Sequence, residues 1–423
     1  MSRSALVRAL VLLVTLASLG RDARAQNGAD TLGQTLMADA AVKAALASIK
    51  ANEPQLLDDQ VRLCEVPAPP FKEQKRGEVY RDLFTSLGLR NVRIDAVGNV
   101  IGERPGKAAR PNLVFAAHLD TVFPEETNVK VTREGPLLKG PGIGDDCRGL
   151  AVLLGVIRAL DAAKIETPGT ITFVGNVGEE GLGDLRGVKH LFRTELKDRI
   201  DRFVSVDGTG YGITHVGVGS KRYRVTFKGP GGHSYGAFGM VNPIHALGRA
   251  IDAISEFEVP RSPKTTFNVG RIGGGTSVNS VPFEAWMEVD MRSSDPASLS
   301  AVDARFHKAV DDALKAERAR WRENGTLTVD PQLVGDRPAG RTPEDSPIVR
   351  AAIAVTKALA LPVSLDEGST DSNIPMSMGI PAITIDGGGS SSGTHALTES
   401  FDSTDSWKGT QRALLVALAL TRP

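Results

Sequence analysis

Five short stretches carry the residue types that metal-assisted or acid–base chemistry needs. In AAHLDTV, His118 and Asp120 are two apart in an apolar run, a spacing that sends both side chains of a strand to one face. An imidazole beside a carboxylate suits a metal-binding histidine, because the carboxylate can fix its tautomer and raise its basicity. By itself, His-x-Asp is equally a satisfied polar pair at a strand end. In GPGIGDDCRGLAVLL, Asp145 and Asp146 stand at the glycine-rich entrance to an apolar helix, where capping and the helix dipole alone favour aspartate. FVGNVGEEGLGD ends an apolar run with Glu179 and Glu180. Adjacent carboxylates repel, and a solvated strand end is the ordinary reason for such a pair. The surrounding glycines, however, let the chain turn sharply, so the two side chains need not diverge. Asp207 closes RFVSVD, and His395 lies in the polar loop GGGSSSGTHALTES.

The elements around these stretches alternate. NLVFAAHLDTV (112–122), TITFVGNV (170–177), RFVSVD (202–207) and IPAITI read as strands; LAVLLGVIRAL (150–160), LRGVKHLFRTEL and SWKGTQRALLVALAL read as helices. This order predicts an α/β fold with a largely parallel sheet. All five stretches fall where strands or loops end, and in a parallel sheet those ends converge on one edge. Two histidines and several carboxylates suit divalent zinc, with a carboxylate available for sharing between two ions.

From about Ser220 the rhythm becomes strand, helix, strand, strand, helix, strand over KRYRVTFKG to TLTVDPQLV, the βαββαβ pattern of a ferredoxin-like unit. The expected organisation is a signal peptide at 1–25, a catalytic domain over 26–219 and 336–423, and an inserted lid or dimerisation domain over 220–335. The signal peptide rests on Arg3 and Arg8, a short apolar run and Ala-Arg-Ala before Gln26. The run is shorter than a bilayer span needs, so a secreted or periplasmic protein without a membrane anchor is expected. The 50 basic and 50 acidic residues give no nucleic-acid footprint. Cys64 and Cys147 are the only cysteines; one disulfide at most is available, and the sequence leaves open whether it forms.

The order HLD, GDD, EE, VD and GTH, with the βαββαβ insertion between the fourth and fifth, resembles the co-catalytic zinc peptidases and amidohydrolases. That family includes tripeptidase T, bacterial glutamate carboxypeptidase, aminoacylase, acetylornithine deacetylase and succinyl-diaminopimelate desuccinylase. The resemblance runs from the PAPPFKE turn at 67–73 to the last helix. It implies two zinc ions, replaceable by cobalt or manganese, bridged by Asp145. His118 and Asp207 would complete one ion's protein shell, and Glu180 and His395 the other's. Asp120 would orient His118, and Glu179 would be the general base and acid. It also implies that His233, often reaching a neighbouring subunit, Asn279 and Arg292 contact substrate, that EGSTDSN (367–373) lines the pocket, and that the chain forms a homodimer.

Two departures stand out. Cys147 occupies a position where many relatives have lysine, as a buried neutral thiol or as a metal contact. Asp207 stands where relatives have aspartate or glutamate, and aspartate resembles the dipeptidases and tripeptidases. The leading expectation is therefore a secreted dizinc metallopeptidase acting on short peptides. The alternatives are an N-acyl-amino-acid amidohydrolase or glutamate carboxypeptidase, and a non-catalytic binding protein on the same scaffold. A serine hydrolase is disfavoured, since no G-x-S-x-G elbow occurs.

Overall fold

A computed structural model describes residues 31–423; the expected signal peptide lies outside them. Four strands form the middle of a nine-stranded sheet: Thr170–Asn176, Asn112–His118, Arg202–Val206 and Ala382–Ile385, side by side in that order and all parallel. Their near-continuous apolar sequences follow from burial on both faces. The crossover between the first two of these strands in the chain is Cys147–Ala162, a helix whose residues are almost all buried. It packs against Glu53–Cys64, Ala40–Ala51 and the closing helix Trp407–Leu420.

The sheet is mixed, with antiparallel strands flanking its parallel centre. Arg90–Ile94 and Val100–Arg104 add antiparallel strands at one side, and Gly212–Gly217 pairs antiparallel with Ala382–Ile385 at the other. The first two form a hairpin, which can only be antiparallel. Its turn is held by the Asp95 carboxylate, which accepts from the amides of Val97, Gly98 and Asn99. These flanking strands are interrupted by glycines and polar residues, so they lack the long apolar runs that make the central strands legible.

Gly219–Lys228, Pro243–Ser255, Thr265–Gly274, Glu284–Ser293, Pro296–Arg320 and Thr328–Arg337 follow one another as strand, helix, strand, strand, helix, strand. Their four strands make a separate antiparallel sheet in the order Thr265–Gly274, Glu284–Ser293, Gly219–Lys228, Thr328–Arg337. Strict alternation of burial along Glu284–Ser293 points one face at the two helices. That face forms its own core around Phe227, Met287, Met291, Leu299 and Phe306. The chain enters and leaves this unit side by side: Gly340 and Arg341 pair with Gly217 and Val216.

Because the four central strands of the main sheet are parallel, they finish at one edge. His118, Asn176, Val206 and Ile385 are their last residues. Asp120, Glu179, Glu180 and Asp207 follow within a few residues, at the entrance to one cleft. Among the described residues no helix is long and apolar enough to cross a membrane.

Candidate active site

Asp145 and Asp146 share a cis peptide bond and diverge in task. Asp146 is fully buried and caps the helix Cys147–Ala162: Oδ1 accepts from the Gly149 amide at 2.9 Å and Oδ2 from the His118 amide at 3.0 Å. Capping thus accounts for Asp146 and leaves Asp145 to face the cleft. Asp145 Oδ1 lies 3.1 Å from His118 Nε2, and Oδ2 lies 3.1 Å from His395 Nε2. The two oxygens of one carboxylate therefore address two different histidines. His118 Nε2 is also 3.8 Å from Asp207 Oδ1, and His395 Nε2 is 3.0 Å from Glu180 Oε1.

Three groups of possible ligand atoms result: His118 with Asp145 and Asp207, Asp145 with Glu180 and His395, and His118 with Glu179 and Glu180. Within each, all atoms lie within 4.8 Å of one another. Burial alone would keep the His118 ring neutral, but the Asp145 and Asp207 carboxylates outweigh it and hold its pKa well above the ordinary range. His395 is pushed up to about 10 by Asp145 and Glu180. Burial opposes ionisation of Asp145, yet His118 and His395 hold its pKa below the usual range. The carboxylates thus demand positive charge among them. A donor set of imidazole nitrogens and carboxylate oxygens, sharing one bridging carboxylate, fits a pair of divalent cations.

Asp120, expected to orient His118, meets it chiefly through its main chain. His118 Nδ1 is 3.0 Å from the main-chain oxygen of Asp120 and 3.8 Å from its carboxylate. The carboxylate instead accepts from the amides of Glu179 at 3.0 Å and Glu180 at 2.7 Å, so it fixes the loop on which both glutamates stand. Gly178 allows that loop to form, with φ at +71° and no room for a Cβ beside Arg186. Glu180 turns towards His395, while Glu179 pairs with Arg337, whose Nη1 donates to Oε1 at 3.0 Å and whose Nη2 donates to the Glu179 carbonyl. Burial pushes the Glu179 carboxyl well up; Arg337 opposes that shift and Glu180 adds to it. His395 adopts a left-handed φ of 67°, a conformation that non-glycine residues take up mainly where function or packing demands it.

The cleft has a volume of about 350 Å³ and is lined by Asp145, Glu179, Glu180, Asp207 and His395 together with Val122, Gly181, Arg222, Arg292, Arg337 and Ser369. Arg292 and one residue of EGSTDSN are therefore in place. His233 and Asn279 are not part of this lining; both are exposed on a small ribbon where His233 pairs with Ser280 and the Ser234 amide donates to the Asn279 carbonyl. Cys64 and Cys147 are free thiols, buried with Leu138, Ile143 and Phe401.

Two residues of the site, Arg337 and Glu399, escape a reading by motif, and a third, Asp371, stands within the EGSTDSN stretch. Arg337 ends the last strand of the inserted unit, far in sequence from the glutamate it meets. Glu399, four residues after His395, accepts from the amides of Gly142, Gly144 and Asp145, holding the Asp145 loop in place. Asp371 is buried and takes a 2.7 Å hydrogen bond from Asn176, and burial pushes its pKa up to about 7.

Fold and cleft together define an α/β protein with a histidine and carboxylate centre able to hold metal. Residues 114–419 match the model of peptidase family M20/M25/M40, and the chain belongs to that family. It is an enzyme of the peptidase and amidohydrolase class. It is 27% identical to YqjE of Bacillus subtilis, an uncharacterised protein, over 79% of this chain and 90% of the relative. It is 26% identical to carboxypeptidase G2 of a Pseudomonas species, covering 71% of each. Among solved structures, a tripeptidase of Staphylococcus aureus superposes with a TM-score of 0.71 at 22% identity, over 88% of this chain and 99% of that one. The Bacillus subtilis YXEP protein, a dinuclear metal-binding peptidase, superposes with a TM-score of 0.64 at 16% identity, over 88% and 99%.

Proposed function

We propose that this protein is an exported, homodimeric dizinc peptidase that hydrolyses amide bonds of short peptides with Glu179 as general base and acid. The observation that carries the reading is the sharing of Asp145 between two donor groups, with Glu179 beside them. Asp145 would bridge the ions, His118 and Asp207 would hold one, and Glu180 and His395 the other. When bound, two such ions polarise a carbonyl and acidify water. The chain's own work is positional. Asp120 sets the Glu179–Glu180 loop, Glu399 sets the Asp145 loop, and Glu179 is placed to take a proton from water and return it to the leaving amine. His233 and Asn279, exposed and outside their own cleft, suit contact with substrate in a partner's cleft, with Arg292 pairing a substrate carboxylate.

The test is metal removal. Dialysis against a chelator should abolish cleavage of dipeptides and tripeptides, and about two equivalents of zinc per chain should restore it. Full activity after thorough stripping overturns the metal reading. A screen in which N-acyl amino acids are cleaved and free peptides are not would replace the peptidase with an amidohydrolase.

A further inference from the structure

Three guanidinium groups, Arg222, Arg292 and Arg337, line one wall of the cleft from adjacent strands of one sheet. They share two carboxylates. Glu179 takes Arg337, and Asp290 accepts from Arg222 Nε at 3.0 Å and from Arg292 Nε at 2.7 Å. Arg222 and Arg292 thus share a single carboxylate, that of Asp290. The donors left over are also specific. Asp290 is met through both Nε atoms, so the terminal nitrogens of Arg292 have no acceptor among the described residues. Arg222 gives Nη1 to the Gly181 carbonyl at 2.6 Å and keeps Nη2 unused.

The rest of the lining reinforces this. Val122 is its single apolar side chain, so an apolar substituent would find no matching surface. Beyond Arg292 a second hollow of about 220 Å³ is lined by Val218, Lys264, Thr266, Ser294 and Glu367. Desolvating spare guanidinium donors without an anion costs free energy, whereas a carboxylate satisfies them in paired, charge-assisted bonds. A neutral or cationic substituent is therefore penalised and an anionic one rewarded.

We infer that the cleft selects dicarboxylate substrates: short peptides or N-acyl amino acids with a second carboxylate on a side chain or acyl group, read by the spare nitrogens of Arg222 and Arg292. This rests on the hydrolase reading above and adds the substrate class to it. Arg222 is the specificity-determining residue, because its Asp290 bond aligns it with Arg292 and its Gly181 bond ties it to the loop that carries Glu179.

Two measurements on the zinc-loaded full chain test this independently of one another. Calorimetry should show succinate binding at least about tenfold more tightly than acetate, the smallest effect expected of one charge-assisted hydrogen bond. Arg222→Gln should remove most of that difference, while Arg222→Lys, which keeps the charge, should keep part of it. In hydrolysis, an acidic member of the matched sets Ala-Ala, Asp-Ala and Ala-Asp, or N-acetyl-alanine and N-succinyl-alanine, should exceed its neutral counterpart in kcat/KM by a similar factor. Equal rates across the sets, or a preference that survives in Arg222→Gln, overturn the assignment. If nothing is cleaved but succinate binds in an Arg222-dependent way, the dicarboxylate site stands and the hydrolase reading fails.

Discussion

Glu179 and Glu180 are neighbours in sequence with opposite partners in space: Glu180 meets His395, and Glu179 meets Arg337. Two carboxylates that would repel on a solvated loop are separated into a candidate ligand and a candidate base. Replacing Glu179 by Gln keeps the shape and hydrogen-bond reach of the side chain but removes its ability to take a proton. The variant should bind metal as the parent does, by elemental analysis, and lose about 10²–10⁴-fold in kcat. Near-normal turnover would end the base assignment. At this scale the cleft-lining candidates were legible because histidines and acids at strand ends are expensive to bury without a task. Arg337 and Glu399 were not, because an arginine in DRPAG or a glutamate in THALTES has no local feature that distinguishes it from a solvated charge.

The loop between Asn176 and Arg186 shows how an element sets the site. It turns at Gly178, where φ is +71° and an added Cβ would lie 2.1 Å from Arg186 Nη1. Gly178→Ala should cost roughly 1–3 kcal/mol of stability, seen as a lower melting temperature, with a loss of kcat as both glutamates shift. The end of Ala382–Ile385 gives a pH test. Asp386 accepts from the Gly212 amide at 2.6 Å, and burial raises its pKa to about 6. The native state therefore binds this proton more tightly than the unfolded chain, whose aspartates titrate near 3.9. The stabilisation is fully present below about pH 4 and is lost as pH rises to about 6. Asp386→Asn should accordingly gain on the parent across that window, by about 1–3 kcal/mol at pH 7, in denaturant titrations. A parent protein whose stability relative to Asp386→Asn does not change between pH 4 and 7 would refute this. Among the elements, the central strands and long helices were readable because full burial writes apolar runs. The flanking antiparallel strands, Gly212–Gly217 among them, were not, because glycines and polar residues interrupt their apolar positions.

On the scale of the whole molecule, the unit from Gly219 to Arg337 grips the Glu179–Glu180 loop from outside. Arg337 holds Glu179, Arg222 holds the Gly181 carbonyl, and the Asp336 amide donates to Asp184 at 2.8 Å. The same unit exposes the edge strand Thr265–Gly274 and the side chains of Tyr235, Phe238 and Val278 near His233, surface that a dimer would cover. If His233 serves a partner's cleft, inactive His233→Ala and inactive Glu179→Gln chains should complement when mixed after dissociation. Random pairing gives about a quarter of the parental activity, because one cleft in each mixed dimer is then whole. No recovery would place His233 outside the partner's chemistry.

The sequence by itself determined the residue types, their order along the chain and the βαββαβ pattern, because apolar periodicity and strand-end acids are local properties. Only the tertiary structure decided which acid does which work. It gave Asp146 to a helix cap and Asp145 to two histidines, turned the Asp120 carboxylate to the glutamate loop, and brought Arg222, Arg292 and Arg337, far apart in sequence, onto one wall. Such assignments depend on distances between segments up to hundreds of residues apart, and no local pattern encodes those distances.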